Sequence, residues 1–300
     1  MRSKISMLGL ILIASTTGCE STRWNWLKKD SNIDIAKPGP SNTSGLVAYL
    51  NDNAHRVKTM QIEDMSIDLT SGTQSFGLTG RIFAERPRSF RMMVYAVGKT
   101  EVDIGSNANE FWFWAAKNPD PYQYFCSYKD LSDGRIRMMP LPIQPEWVME
   151  TLGIGSYGPA DKFQLEADPD PKLLRLVEKT KSPRGDPVRK VIVMNRKEVR
   201  APQPQVTAFL LLDDRSGQEI CSAQILSTRQ DGATGAILPY KMEIRVPAQK
   251  MKLTLKLDGS TTNRQLAGTP FSRPQMTGVE AFNLATGRTE SPGTQRVGAP

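Results

Sequence analysis

The sequence is poor in the residues that most chemistry needs. It has one histidine, His55, and three cysteines in 300 residues. A lone imidazole leaves a metal site or a base without a second one, and no serine or cysteine nucleophile has a histidine near it in sequence. Nucleophilic catalysis needs such a pairing, so the chain reads as a non-enzyme, with no cofactor and no metal. Lysine and arginine never occur four in a row. Dedicated nucleic-acid binders gather their charge on one face, so no nucleic-acid partner is expected. The G-x-G-x-x-G match at Gly153–Gly158 follows a helical pattern instead of a strand, which excludes a phosphate cradle. The apolar run Ile5–Ala14 is too short to span a bilayer as a mature helix.

What is present begins with an address. Arg2 and Lys4 precede the apolar run, and small residues 15–18 lead into Cys19. This resembles a bacterial lipoprotein signal, 1–18, in which the cysteine becomes the first mature residue. The resemblance implies a covalent N-acyl and S-diacylglycerol lipid on Cys19. Glu20 after it implies sorting to the outer membrane, on its periplasmic side. Without the leader, 37 basic residues face 31 acidic ones, a mild +6. Cys126 and Cys221 then remain, and their pairing stays open. An oxidising compartment permits a bridge, yet buried free thiols are common.

Residues 19–42 read as a tether punctuated by Pro38-Gly39-Pro40. A helix is expected from a Ser44 cap to about Met60, with Leu46, Leu50, Ala54 and Val57 on one stripe. Period-2 alternation then dominates. Residues 78–114 read as four successive antiparallel strands, and further strands follow at 122–128, 172–179, 188–195, 205–212, 218–229, 237–246 and 251–258. Residues 146–152 read as a short helix presenting Trp147. From 260 to 300 the chain turns to Gly, Thr, Pro, Ser and Arg, which reads as a disordered tail. The fold class is mainly β (α+β). About 11–12 antiparallel strands form a strongly curved, unclosed half-barrel over 43–259, with a lid helix and a short inserted helix.

Three stretches carry a family likeness: SFRMMVYAVGKTEVDI at 89–104, the segment around Trp147, and 238–258 with its Pro-x-x-Met-Glu-Ile start. With GRIFAERPRSF at 80–90, the chain resembles the LolA/LolB lipoprotein-sorting family, and its receptor branch most. The resemblance implies a hollow that holds acyl chains under a helical lid, and a periplasmic LolA-like carrier as partner. It implies that Arg86 and Phe90 of the R-P-x-x-F motif gate the lid. It also implies that Val97, before Gly-x-Thr-Glu, is a membrane-contact tip. Ile82, Met92, Val94, Trp112, Trp114, Ile244 and Leu255 are the acyl-cavity candidates. The implied function is acceptance or transfer of lipoproteins or lipids in the envelope. The alternatives are a partner-sensing or structural lipoprotein on the same fold.

Overall fold

A computed structural model describes residues 42–136 and 144–290. The expected leader, Cys19, the expected tether as far as residue 41 and the last ten residues lie outside the described residues, as does 137–143.

Helix α1 (Thr43–His55) is capped by Asn42, two residues earlier than Ser44, and the Asn42 Oδ1 accepts from the Gly45 N–H at 2.7 Å. The helix stops at His55 because Met60 and Ile62 are drawn into a sheet, where they pair with Ala84 and Ile82. Tertiary pairing there overrides helical periodicity. The strands are β1 (Thr59–Ser71), β2 (Gln74–Glu85), β3 (Ser89–Ala96), β4 (Lys99–Ser106), β5 (Glu110–Ala115) and β6 (Tyr122–Ser127). Two short helices follow, α2 (Tyr128–Ser132) and α3 (Pro145–Thr151). Then come β7 (Phe163–Ala167), β8 (Leu173–Lys181), β9 (Pro187–Asn195), β10 (Val206–Asp213), β11 (Glu219–Gln230), β12 (Ile237–Val246) and β13 (Met251–Thr262). Two final strands are β14 (Glu280–Asn283) and β15 (Arg288–Glu290).

All fifteen strands form one sheet in the order β15-β14-β6-β5-β4-β3-β2-β1-β13-β12-β11-β10-β9-β8-β7. Its edges, β15 and β7, do not pair with each other, so the sheet stays open. Two meanders, β1–β6 and β7–β13, are joined where β1 pairs with β13. Alternate residues of each strand face inward. Ile82 and Ala84 of β2, Phe90 and Val94 of β3, Met242 of β12 and Leu255 of β13 share one buried cluster with Leu46 and Leu50 of α1. Trp147 and Met149 of α3, with Leu152 and Ile154 just after it, complete that cluster.

The C-terminal part corrects the expected disordered tail. Residues 264–279 cross the outer face as a strap, and β14 adds to β6 as the one parallel pair among the described residues. Side chains of the sheet hold the strap by its carbonyls: Arg91 bonds Pro270 O at 3.4 Å, Asn107 bonds Phe271 O at 3.0 Å and Gln123 bonds Pro274 O at 3.1 Å. Arg273 pairs with Glu110 at 3.1 Å and lies 3.9 Å above the Phe125 ring. A segment with few apolar residues is ordered here because the sheet satisfies its backbone.

Candidate functional site: the lidded inner face

The inner face is closed by two pieces of chain, α1 and the α3 segment 145–157. Their undersides are apolar, and polar bonds pin their margins. On α1, Asn53 Nδ2 donates to Ile237 O at 2.9 Å, while Asn53 Oδ1 accepts from Ile237 N at 2.7 Å. Two residues earlier, Asn51 makes the same two-way bond with Tyr157, at 3.2 and 3.0 Å. Each asparagine thereby imitates a backbone ladder partner and ties the helix to a strand or to the second lid piece.

The α3 segment is gripped by the β2–β3 turn. Arg86 Nη2 donates to Ser156 Oγ at 2.9 Å, and Arg88 lies 3.8 Å from Glu146. The Arg86 contact is with a hydroxyl of the segment that follows α3. Partial burial lowers the Arg86 pKa from the ordinary arginine value without removing its charge. Beneath α3, Glu150 forms an ion pair with Lys190 of β9. Burial raises the Glu150 pKa, and the Lys190 ammonium works against that rise. A buried pair of this kind gives little net stability, because desolvation offsets attraction, but it fixes where α3 sits.

The space left between lid and sheet is small. A cavity of about 50 Å³ lies among Tyr49, Leu50, Tyr157, Phe209, Ile225 and Ile237. That is room for one or two waters, far below the ~300–1,000 Å³ of small-molecule sites. The hollow is therefore filled by its own lid.

The expected cavity residues divide. Ile82, Val94 and Leu255 are buried on the inner face, and Met92 and Ile244 border the same cluster half-buried. Phe90 is fully buried there. Trp112 and Trp114 stand on the outer face. Their neighbours Phe111 and Phe113 point inward, Phe113 stacking on Tyr124 with ring centroids 4.9 Å apart. Trp112 Nε1 instead donates to Asp103 Oδ1 at 2.9 Å. Val97 is fully exposed at the β3–β4 turn. Cys126 and Cys221 are free and buried in different clusters, with burial pushing both thiols up to about 12. Such thiols are inert at neutral pH. His55 is exposed. Among the described residues no three His, Cys, Asp or Glu side chains gather as a metal site would require, and no helix is long and apolar enough to cross a membrane.

The chain is similar to two solved structures at low identity. A DUF1329 family protein from Desulfovibrio piger is 7% identical, with a TM-score of 0.48 over 77% of this chain and 98% of that one. A LolA superfamily protein from Nitrosomonas europaea is 9% identical, with a TM-score of 0.43 over 76% of this chain and 97% of that one. No protein-family model and no curated protein matches the sequence.

Sequence reasoning did not single out Asn51, Asn53, Ser156 or the Glu150–Lys190 pair. Lys190 carries a usable signal. It is a charge on the otherwise apolar inward phase of VRKVIVM, shared with Val188, Ile192 and Met194, which calls for a buried partner.

Proposed function

We propose that this chain is a lipid-anchored envelope protein that accepts or hands on acyl chains of lipoproteins or lipids. Its anchor is Cys19, its place the periplasmic side of the outer membrane, and its partner a LolA-like carrier. The observation that carries this reading is the construction of the inner face. Its apolar cover is made of separate helical pieces pinned at their margins, so lifting them bares a continuous greasy surface while the sheet stays whole. An acyl chain gains ~0.8 kcal/mol per buried CH₂, enough over a full chain to displace a lid held by a handful of polar bonds.

The test uses the full chain with Cys19→Ser and a fluorescent fatty acid, with native mass spectrometry for copurified lipid. Saturable binding, tightened when Asn51 and Asn53 are both changed to alanine, supports the reading. No binding even by the loosened lid overturns it. The 50 Å³ cavity favours the second reading, a packed structural or partner-sensing lipoprotein, and that result would establish it.

Arg86 is the gating residue under this proposal. Arg86→Leu removes the Ser156 bond, at a partly exposed position worth about 1 kcal/mol. Probe exchange is expected to quicken several-fold while the melting temperature moves by only a few degrees. An unchanged exchange rate in stopped flow would reduce Arg86 to a surface role.

Val97 is the proposed membrane tip. The two-residue turn has φ 48° at Val97 and 75° at Gly98, the pattern of a type I′ hairpin, which favours Asn-Gly. A β-branched residue at positive φ is strained by about 1 kcal/mol or more. Val97→Asn is thus expected to raise thermal stability and to slow delivery of bound probe to liposomes. Val97→Glu should slow delivery further with uptake unchanged. Equal delivery by all three proteins removes the contact role from Val97.

A further inference from the structure

Three hairpin tips lie side by side at one end of the sheet. Val246 pairs with Met251, Ser71 pairs with both Met251 and Gln74, and Ala96 pairs with Lys99. This places the β12–β13, β1–β2 and β3–β4 turns in a row, opposite the end where Arg86 and Ile237 hold the lid. Residues 246–252, 70–77 and 96–100 contain no Asp or Glu, and they carry Lys99, Lys250 and Lys252. Lys252 lies 3.6 Å from Glu243, whereas Lys99 and Lys250 are exposed turn residues.

The apolar surface at this end is equally uneven. Phe76 of β2 is 41% exposed, and Val97 at the β3–β4 turn is fully exposed. Lys117, from the β5–β6 loop, places its Nζ 5.8 Å from the Phe76 ring. Phe76 ends an inward row that starts at the buried Ile82 and passes through Gly80 and the half-buried Leu78. Across the strands it continues a ladder in which Ile244 faces Leu253, Leu253 faces Leu69, and Leu69 faces Phe76. The first three of these are half-buried. Apolar side chains therefore run without a break from the lidded cluster to an exposed aromatic ring with Lys117 over it.

We propose that this end is a docking rim for an anionic bilayer, with Phe76 as a second apolar anchor and the ladder as the path an acyl chain follows between hollow and membrane. The proposal deepens the acyl-transfer reading and rests on it. Charge sets the partner: three neighbouring tips free of carboxylates, two of them bearing lysines, suit phospholipid headgroups of negative charge. Phe76 then enters the interface as the lysines meet the headgroups, and the chain leaving Leu253 and Leu69 passes from apolar surface to apolar core without crossing water.

The test uses the full chain with Cys19→Ser, so that no covalent lipid masks binding. Sedimentation with phosphatidylglycerol–phosphatidylcholine vesicles is compared with phosphatidylcholine vesicles alone. Wild type is expected to bind the anionic vesicles more strongly. Phe76→Ser should weaken that binding about tenfold. Changing Lys99, Lys117 and Lys250 to glutamine should weaken it about a hundredfold and abolish the lipid preference. Leu226→Ser, at an exposed leucine on β11, should change nothing. Fatty-acid uptake and the unfolding curve should stay constant throughout. Equal binding by wild type and Phe76→Ser, absence of an anionic preference, or a matching loss in Leu226→Ser overturns the rim. Fatty-acid uptake separates the two claims. If wild type takes up none yet docks through Phe76, the acyl-transfer reading fails and the docking surface stands.

Discussion

Replacing Asp103 by alanine is expected to lower the unfolding free energy by about 3–5 kcal/mol, the usual result of leaving a buried charge without its partner. Asp103 is 3% exposed. Its carboxylate accepts from Arg91 Nε and Nη2, the latter at 2.7 Å, and from Trp112 Nε1 at 2.9 Å. Removing it strands a guanidinium that is largely buried and an indole N–H that is wholly so. Arg91 also reaches the Pro270 carbonyl, so the strap loses a holding point as well. Asp103→Asn retains an acceptor for the indole and should lose less. Urea unfolding measures the difference, and limited proteolysis should show new cuts within 264–276 for the alanine variant. A loss under about 1 kcal/mol, the range of surface pairs, would mean that the network is open to water.

Trp147→Ala should destabilise by a similar amount but strengthen binding of the fatty-acid probe. Trp147 projects from α3 into the inner cluster and is 4% exposed. Truncation leaves a hole in the apolar body and removes the largest side chain of the lid, at a cost of about 3–5 kcal/mol in the unliganded state. An apolar hole of that kind stays dry and accepts hydrocarbon. The variant should melt earlier alone and bind the fatty-acid probe more tightly than wild type. Added probe should then recover much of the lost melting temperature, since a ligand that binds only the folded form stabilises it by mass action. A variant that is less stable and no better at binding would show that the space under α3 is not where chains go.

The sheet was legible because its charged and apolar residues alternate cleanly. In β12 and β13, Met242, Ile244, Leu253 and Leu255 alternate with Lys241, Glu243, Lys252 and Thr254, and the register pairs like with like. The same logic has no grip on Phe111-Trp112-Phe113-Trp114, where both phases are apolar. The phase there is set by Asp103, which meets Trp112 from the neighbouring strand, and by Gly105, whose missing side chain leaves room for the indole: a Cβ would lie 2.2 Å from it. Neither relation is local in sequence. The strap was illegible for a related reason. Its order comes from carbonyls of Pro270, Phe271 and Pro274 meeting side chains on β3–β6, and composition reports nothing about carbonyls. The lid lay between these cases. The apolar stripe of α1 announced a buried face, whereas Asn51 and Asn53 look like ordinary polar residues of its other side until Tyr157 and Ile237 are placed beside them.

The junction of β1 with β13 also governs how the molecule assembles in time. It runs from Met60 opposite Thr262 to Ser71 opposite Met251 and forms the centre of the sheet, yet it joins segments almost two hundred residues apart. Closing so long an unstructured loop costs roughly 5 kcal/mol, so this pairing is a late event, and the two meanders, each built of neighbouring hairpins, form ahead of it. Until they meet, each presents a long open strand and half of an apolar face, the combination that invites aggregation. A chain emerging from its N-terminus cannot complete its own middle until nearly all of it is out. The lidded inner face, which draws on both meanders, is therefore complete only when the last third of the chain arrives.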